Sequence, residues 1–422
     1  LGTPLSANKP VAHLSGNDLI TMSLITGSRK QLLTSLCLMV IFLDLPLVVF
    51  APLLESLMDA FAIGPGTAGL IVTTVWVGSA LSKIPAGYIL THFPRHHMVL
   101  GSGILLTSAA AVTALAPSII VLAAGGFLMG AASGAYLISA SPLVSELYPE
   151  RVGWVLGIHG TATQIGVVLT PLFVSAVLLT SHWRLVFLLI AGVTVGATVL
   201  FYLTSKRTNL PTAGTADQHI HLALQRHWPL IFTGIIILAT TGFIWNGLFS
   251  FYPSYLIREK GCPPQLARNM LSVAFVMGIP AFWISGRLAD RLPHIPFILA
   301  IWSGLIVCLF SLTHVQEIAS LVIVTAVLGY VVSSIFPVLD SYILKSLPDE
   351  NRASAYSLHS GIAMFGEASG SAAVGLLIDQ GYTYDSVFQL FGVGLGIILS
   401  ILFFLYLLRK LPTNTVIRSP NN

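Results

Sequence analysis

Apolar residues along this chain come in long, nearly uninterrupted runs, without the short alternating or amphipathic patterns of a soluble core. A helix needs about 20 apolar residues to cross a hydrocarbon layer about 30 Å thick. Twelve runs meet that need: 31–54, 67–91, 98–116, 118–142, 152–179, 183–203, 229–257, 267–288, 295–314, 317–345, 354–378 and 384–408. The third and fourth are divided only by Ala116-Pro117-Ser118. The pattern predicts an all-α membrane protein with 12 transmembrane helices. Residues 1–30 are polar and end in Arg29-Lys30, and the run behind them is longer than the roughly 7–15 residues of a leader's apolar core, so it reads as the first span.

Charge refines this picture. Asp, Glu, Lys and Arg make up 9% of the residues, against about 25% in a soluble domain, so most of the exterior must face something apolar. The basic residues sit in short clusters between runs and form no stripe, which excludes a nucleic-acid surface. With the N-terminus inside, 15 of the 20 Lys and Arg residues fall in cytoplasmic segments and 4 outside, with Lys83 left within a span. That bias places both termini in the cytoplasm and demands an even number of spans, as for a multi-pass protein of a plasma or inner membrane. Cys37, Cys262 and Cys308 lie far apart, with neither disulfide-framework nor metal-ligand spacing, and nothing calls for a cofactor.

The longest polar stretch between runs, 204–228, falls at mid-chain. It divides a six-helix bundle at 31–203 from another at 229–408, with cytoplasmic segments at 1–30 and 409–422. The halves look like copies. Gly87…Pro94 recurs as Gly286…Pro293 at an offset of 199, and Pro149-Glu150-Arg151 is echoed by Pro348-Asp349-Glu350-Asn351-Arg352. His159 and Gly166 match His359 and Gly366 at an offset of 200. Parallel repeats with a central site between them are a transporter architecture.

The segment Gly286-Arg287-Leu288-Ala289-Asp290-Arg291-Leu292-Pro293-His294 resembles the signature of the major facilitator superfamily, G-x-x-x-D-[RK]-x-G-[RK]-[RK], through Asp290-Arg291. The copy in the first half is eroded, with Thr91 for the Asp, His92 for the basic residue and Pro94 for the second Gly. The resemblance covers residues 31–408 and implies two pseudo-symmetric six-helix bundles that alternate access to a central solute site, without enzymatic chemistry. It also implies a cytoplasmic gate at Gly286, Asp290 and Arg291, joined by Arg95, Arg151 and Arg352. There a carboxylate can sit at a neighbouring helix N-terminus while a cation pairs with an acid across the seam. Leu43-Asp44-Leu45-Pro46 looks like the first span of proton-coupled multidrug antiporters, whereas Gly125-Gly126 stands where many of those carry an Arg.

A charge in mid-membrane costs at least about 2.5–3.5 kcal/mol and is a functional candidate by default. Asp44, Lys83, Asp340 and Glu367 qualify. Asp44 and Lys83 differ in depth by roughly 6 Å at 1.5 Å per residue, within reach of a lysine, so they can form a pair, either static or exchanging a proton. Glu367 is the other proton-site candidate. Asp340, only five residues from Lys345, reads equally as a helix-end charge. His159 and His359, at matching sites, can carry protons or be held by neighbouring groups. Trp76, Trp245, Asn246, Phe249 and Tyr252 are candidate cavity walls, and Gly126, Gly130 and Gly134 form a close-packing stripe on span 4.

Together these point to a monomeric secondary transporter that couples a small solute to protons or another ion. Export of an amphipathic or drug-like compound leads, because the first span is acidic and only Lys83 offers an anion a cationic anchor. Uptake of a small organic anion or metabolite is the alternative, and a non-transporting receptor of the same shape a third.

Overall fold

In the computed structural model, residues 16–90, 92–148, 151–208, 220–346 and 352–411 are described. Lys9, Thr91, Pro149, Glu150, Pro348 through Asn351, Arg418 and residues 209–219 of the linker lie outside them. Among the described residues the chain forms thirteen helices. They are α1 (Gly16–Leu43), α2 (Pro46–Phe61), α3 (Pro65–Ile89), α4 (Arg95–Ala114), α5 (Ile119–Leu147), α6 (Val152–Thr180), α7 (Trp183–Ser205), α8 (Ile220–Arg258), α9 (Pro264–Ala289), α10 (His294–His314), α11 (Ile318–Ser346), α12 (Arg352–Asp379) and α13 (Tyr384–Leu407). Twelve spans result, because α1 and α2 are two parts of one crossing, Arg29–Phe61.

That break has a local cause. Pro46 has no N–H to return to the preceding turn, and its fixed φ suits a helix start. The Asp44 N–H still reaches Val40 O at 3.1 Å, but the Leu47 N–H turns to Asp44 O at 3.2 Å and the Val48 N–H to Leu45 O at 3.0 Å. Pro85, Pro171, Pro280 and Pro337 stay inside continuous helices. What sets Pro46 apart is Asp44 two residues earlier, whose carboxylate is bonded to another helix at the break.

Three boundaries differ from the sequence expectation. The first crossing continues to Phe61 rather than ending at 54, with Leu57 and Met58 buried. Helix α8 begins at Ile220, inside the stretch expected to be linker, because Leu, Ala, Gln and Arg extend a helix beyond the apolar layer and hydropathy does not register this. Likewise α1 begins at Gly16, within the polar N-terminal segment.

Helices α1–α7 form one six-span half and α8–α13 the other. Within the first half, Gly130 lets α5 press against α3, where a Cβ would collide with the Val75 carbonyl. Between the halves run two main seams, α3 against α12 and α6 against α9, and α2 also meets α8. Successive spans alternate direction, so the start of α1, the end of α13 and the ends of α7 and α8 that flank the linker lie at one end of the bundle (the linker end), and the loops after α2, α4, α6, α8, α10 and α12 lie at the far end. The bonds joining the halves cluster toward that far end. Arg258 makes a bidentate pair with Glu55 at 3.0 and 2.9 Å. Thr73 Oγ1 donates to Ala368 O at 2.8 Å, Ser371 Oγ to Gly69 O at 3.1 Å, and Ser272 Oγ to Val168 O at 2.9 Å.

Candidate functional site

A cavity of about 210 Å³ lies between the halves, lined by Trp76, Gln164, Val167, Gly242, Trp245, Phe275, Gly278, Phe282, Ser333, Phe336 and Glu367. Helices α3 and α6 supply one side and α8, α9, α11 and α12 the other. Trp76 and Trp245 meet edge-on across the seam, their ring centroids 5.7 Å apart. Trp245 stacks on Phe275 at 6.0 Å, and Phe282 and Phe336 lie almost parallel at 6.3 Å. This makes an aromatic enclosure with few polar handles: the Glu367 carboxylate, the Gln164 amide and the Ser333 hydroxyl. The Trp76 indole N–H is buried with no partner among the described residues, leaving a donor at the wall. Such a site accepts an apolar or aromatic body and fixes its orientation through a few polar contacts.

Of the expected wall residues, Trp76 and Trp245 line this space, and Asn246, Phe249 and Tyr252 do not. One position along α8 from Trp245 the helix has turned by about 100°, toward α12. Asn246 is therefore buried between α8 and α12 of the second half, with Oδ1 accepting from the Ser371 N–H at 3.1 Å. Phe249 packs behind Trp245 and Phe275. Tyr252, two turns farther along, is bonded to Thr325 on α11.

The buried charges divide between the halves. Lys83 on α3 feels both Glu367 of the second half and Asp44 of its own, yet makes no ion pair within 4.0 Å with either. The expected Asp44–Lys83 pair is thus a longer-range interaction. Asp44 is 7% exposed and bonds to Ser133, whose hydroxyl donates to Oδ1 at 3.2 Å. Around it stand Thr163, Tyr136 and His159 on α5 and α6. The Tyr136 hydroxyl lies 2.9 Å from Leu36 O and 3.0 Å from His159 Nε2. Because a carbonyl only accepts, the tyrosine proton goes to Leu36 and His159 Nε2–H donates to the tyrosine oxygen. His159 is thereby tied into a lock between α1, α5 and α6, away from the cavity wall. His359 is also fully buried, against Gly234 of α8 and Ile343 of α11, and does not line the cavity. Asp340 is half-buried on α11, toward the linker end.

The expected gate residues all lie at the linker end. Asp290 and Arg291 are exposed just past α9, and the Gly286 backbone passes close to Pro337 of α11. Arg151 is exposed at the start of α6, and Arg352 opens α12. Arg95 lies at the start of α4. It pairs with Glu146 inside its own half, because α4 starts beside the end of α5.

Comparison with known proteins agrees with this architecture. The chain is 24% identical to the probable sulfoacetate transporter SauU of Cupriavidus necator over 400 residues, covering 88% of this chain and 92% of that protein. In structure it is similar to a bacterial homolog of the human lysosomal transporter Spinster in an inward-facing, unoccupied conformation. The TM-score there is 0.76 at 16% identity, covering 91% of this chain and 97% of the other. A D-xylose–proton symporter also matches with a TM-score of 0.76 at 14% identity, over 91% of this chain and 98% of that one. The Major Facilitator Superfamily pattern matches residues 35–325 and 312–420, and with twelve spans in two related halves around a central cavity the chain belongs to that superfamily of membrane transporters.

Proposed function

We propose that this protein is a proton-coupled secondary transporter that exports a small amphipathic solute by alternating access, with residues 31–203 and 229–408 as the two moving halves. The observation that carries the reading is Glu367, a carboxylate in the wall of a largely aromatic cavity, within electrostatic range of Lys83 across the seam. A solute with an apolar body and a basic or hydrogen-bonding head fits that lining, and a proton on Glu367 would compete with such a head. Competition of this kind is what antiport requires. Asp44 is the second proton site, seated at the helix break of the first crossing and buried among hydroxyls. With the linker end in the cytoplasm, the clustered far-end bonds describe an inward-facing state, and Asp290 and Arg291 become the cytoplasmic latch that closes when the far end opens. The protein works as a monomer in a plasma or inner membrane and makes no chemical change in its solute.

A second reading is uptake of a small organic anion. Lys83 supports it, a cation beside the cavity that its two acids do not neutralise by contact, as does the likeness to a probable sulfoacetate transporter. Purified protein in vesicles with an internal pH dye separates the two. Export by antiport predicts proton release from acid-loaded vesicles on adding amphipathic cations such as tetraphenylphosphonium or ethidium. Anion uptake predicts proton entry on adding sulfoacetate or other short sulfonates and carboxylates. Proton movement that no solute in either panel alters would overturn both.

A further inference from the structure

The eroded motif of the first half finds no role in the cytoplasmic latch, and the far end of the same seam offers an explanation. Asp379 ends α12 and reaches across to the start of α3, where its Oδ2 accepts from the Gly66 N–H at 2.9 Å. The first turn of a helix presents unpaired N–H groups and partial positive charge, so a carboxylate there is held by both. Pro65 occupies the first helical position, where a missing N–H costs nothing. Glycine on either side of it is required by space: a Cβ at Gly64 or Gly66 would meet the Asp379 carboxylate. Two turns deeper the same seam is closed by Thr73, Ser371 and Gly69.

The pseudo-symmetric seam, α6 against α9, lacks this device. By the offset of 200 residues that relates the two His-Gly pairs, the position of Asp379 is Leu179 in the first half, and by the offset of 199 that of Gly66 is Gln265 in the second. That seam carries neither the carboxylate nor the small residue that admits it. At the linker end the asymmetry is reversed: Asp290 follows α9 on the α6–α9 side, while Thr91 stands at the matching place after α3. Each of these two seams therefore has one such carboxylate, both belong to the second half, and they sit at opposite ends, with the Glu55–Arg258 pair joining α2 to α8 beside the far-end one.

We propose that Asp379, docked on the N-terminus of α3 at Gly66, is a latch that helps hold the far end shut on the α3–α12 seam, and that it alternates with Asp290 at the linker end during the transport cycle. The proposal rests on the alternating-access reading. Loss of the first-half motif then follows. The α3–α12 seam is secured at its far end by Asp379, so the linker end of α3 needs no acid of its own.

The test is the distance across the far end in the full-length protein. Spin labels go on Ser118→Cys in the loop after α4 and Gln316→Cys in the loop after α10, both exposed, in a background lacking the three native cysteines. Asp379→Asn keeps size and hydrogen bonding but removes the charge. It is expected to raise the ratio of far-end-open to far-end-closed molecules by about tenfold, the scale of a charge at a helix terminus plus a charge-assisted bond. Asp290→Asn is expected to move the ratio the other way, and the double variant to return it toward wild type. A merely structural aspartate would not produce opposed shifts. If Asp379→Asn does not fold, Gly66→Ala displaces the carboxylate from the other side of the contact and carries the same expectation. Unchanged distances in the Asp379 variant, or shifts in one direction for both acids, overturn the latch. A wild-type protein with one fixed far-end distance at every pH from 5 to 8 would instead fail the alternating-access reading.

Discussion

Tyr136→Phe is the sharpest probe of the first half, because the structure says which bonds it removes. Tyr136 is fully buried, and its hydroxyl serves Leu36 O at 2.9 Å and His159 Nε2 at 3.0 Å. The two losses are unequal. Leu36 O already accepts within α1, so it forfeits a supplementary bond, worth about 0.6 kcal/mol between membrane helices. His159 Nε2–H loses its partner in a buried site, and an orphaned buried donor costs about 1–3 kcal/mol. The sum is about 2.6 kcal/mol, roughly an 80-fold shift in the folded-to-unfolded ratio. The assay is reversible unfolding in mixed micelles, run as a double-mutant cycle with His159→Leu. If the imidazole is the main partner, Tyr136→Phe costs much less in the His159→Leu background than alone. Equal losses in both backgrounds, or none in either, would refute the assignment. Flux supplies an independent arm. Because His159 is tied to Tyr136 and lies off the cavity wall, the pH profile of transport in Tyr136→Phe should keep its midpoint even as stability falls. A displaced midpoint would make this imidazole part of the proton path.

Three further outcomes are expected. Glu367→Gln and Asp44→Asn should each abolish accumulation driven by a pH gradient while both proteins still fold, and pH-dependent flux surviving intact in both would remove these acids as coupling sites. Trp76→Phe keeps the aromatic wall but deletes its unpartnered donor, and should weaken half-saturation for a solute that accepts a hydrogen bond there, with little change in maximal rate. Gly130→Ala places a methyl group against the Val75 carbonyl, where α3 and α5 cannot both keep their positions, and should cost about 3 kcal/mol in the same micelle unfolding assay; no measurable loss would mean that the two helices are not in tight contact.

The topology was legible because lipid simplifies the code: backbone groups must be satisfied within each span, so apolar length alone locates the helices. The turn of each helix about its own axis was not legible. A span that is apolar all round gives no moment to say which face meets lipid, protein or cavity. Phe275, Phe282 and Phe336 therefore read like any membrane phenylalanine, and of the missed wall residues only Gln164 and Ser333 carried a polar signal. Asn246 and Tyr252 had that signal too, yet it marks helix-to-helix bonds there. Depth has the same limit. It matches residues along the membrane normal and is blind to direction within the plane, so it suggested Lys83 as a partner for Asp44 and could not bring Glu367, from the other half, toward the same lysine. The tertiary fold adds that missing direction, and with it a mechanistic consequence. A lysine shared between an acid of its own half and an acid of the opposite half changes its balance when the halves rotate, whereas a pair confined to one half would ride through the cycle unchanged. Lys83→Gln should accordingly uncouple solute movement from the proton gradient, with downhill exchange of solute preserved. Loss of exchange as well would show that Lys83 holds the solute itself.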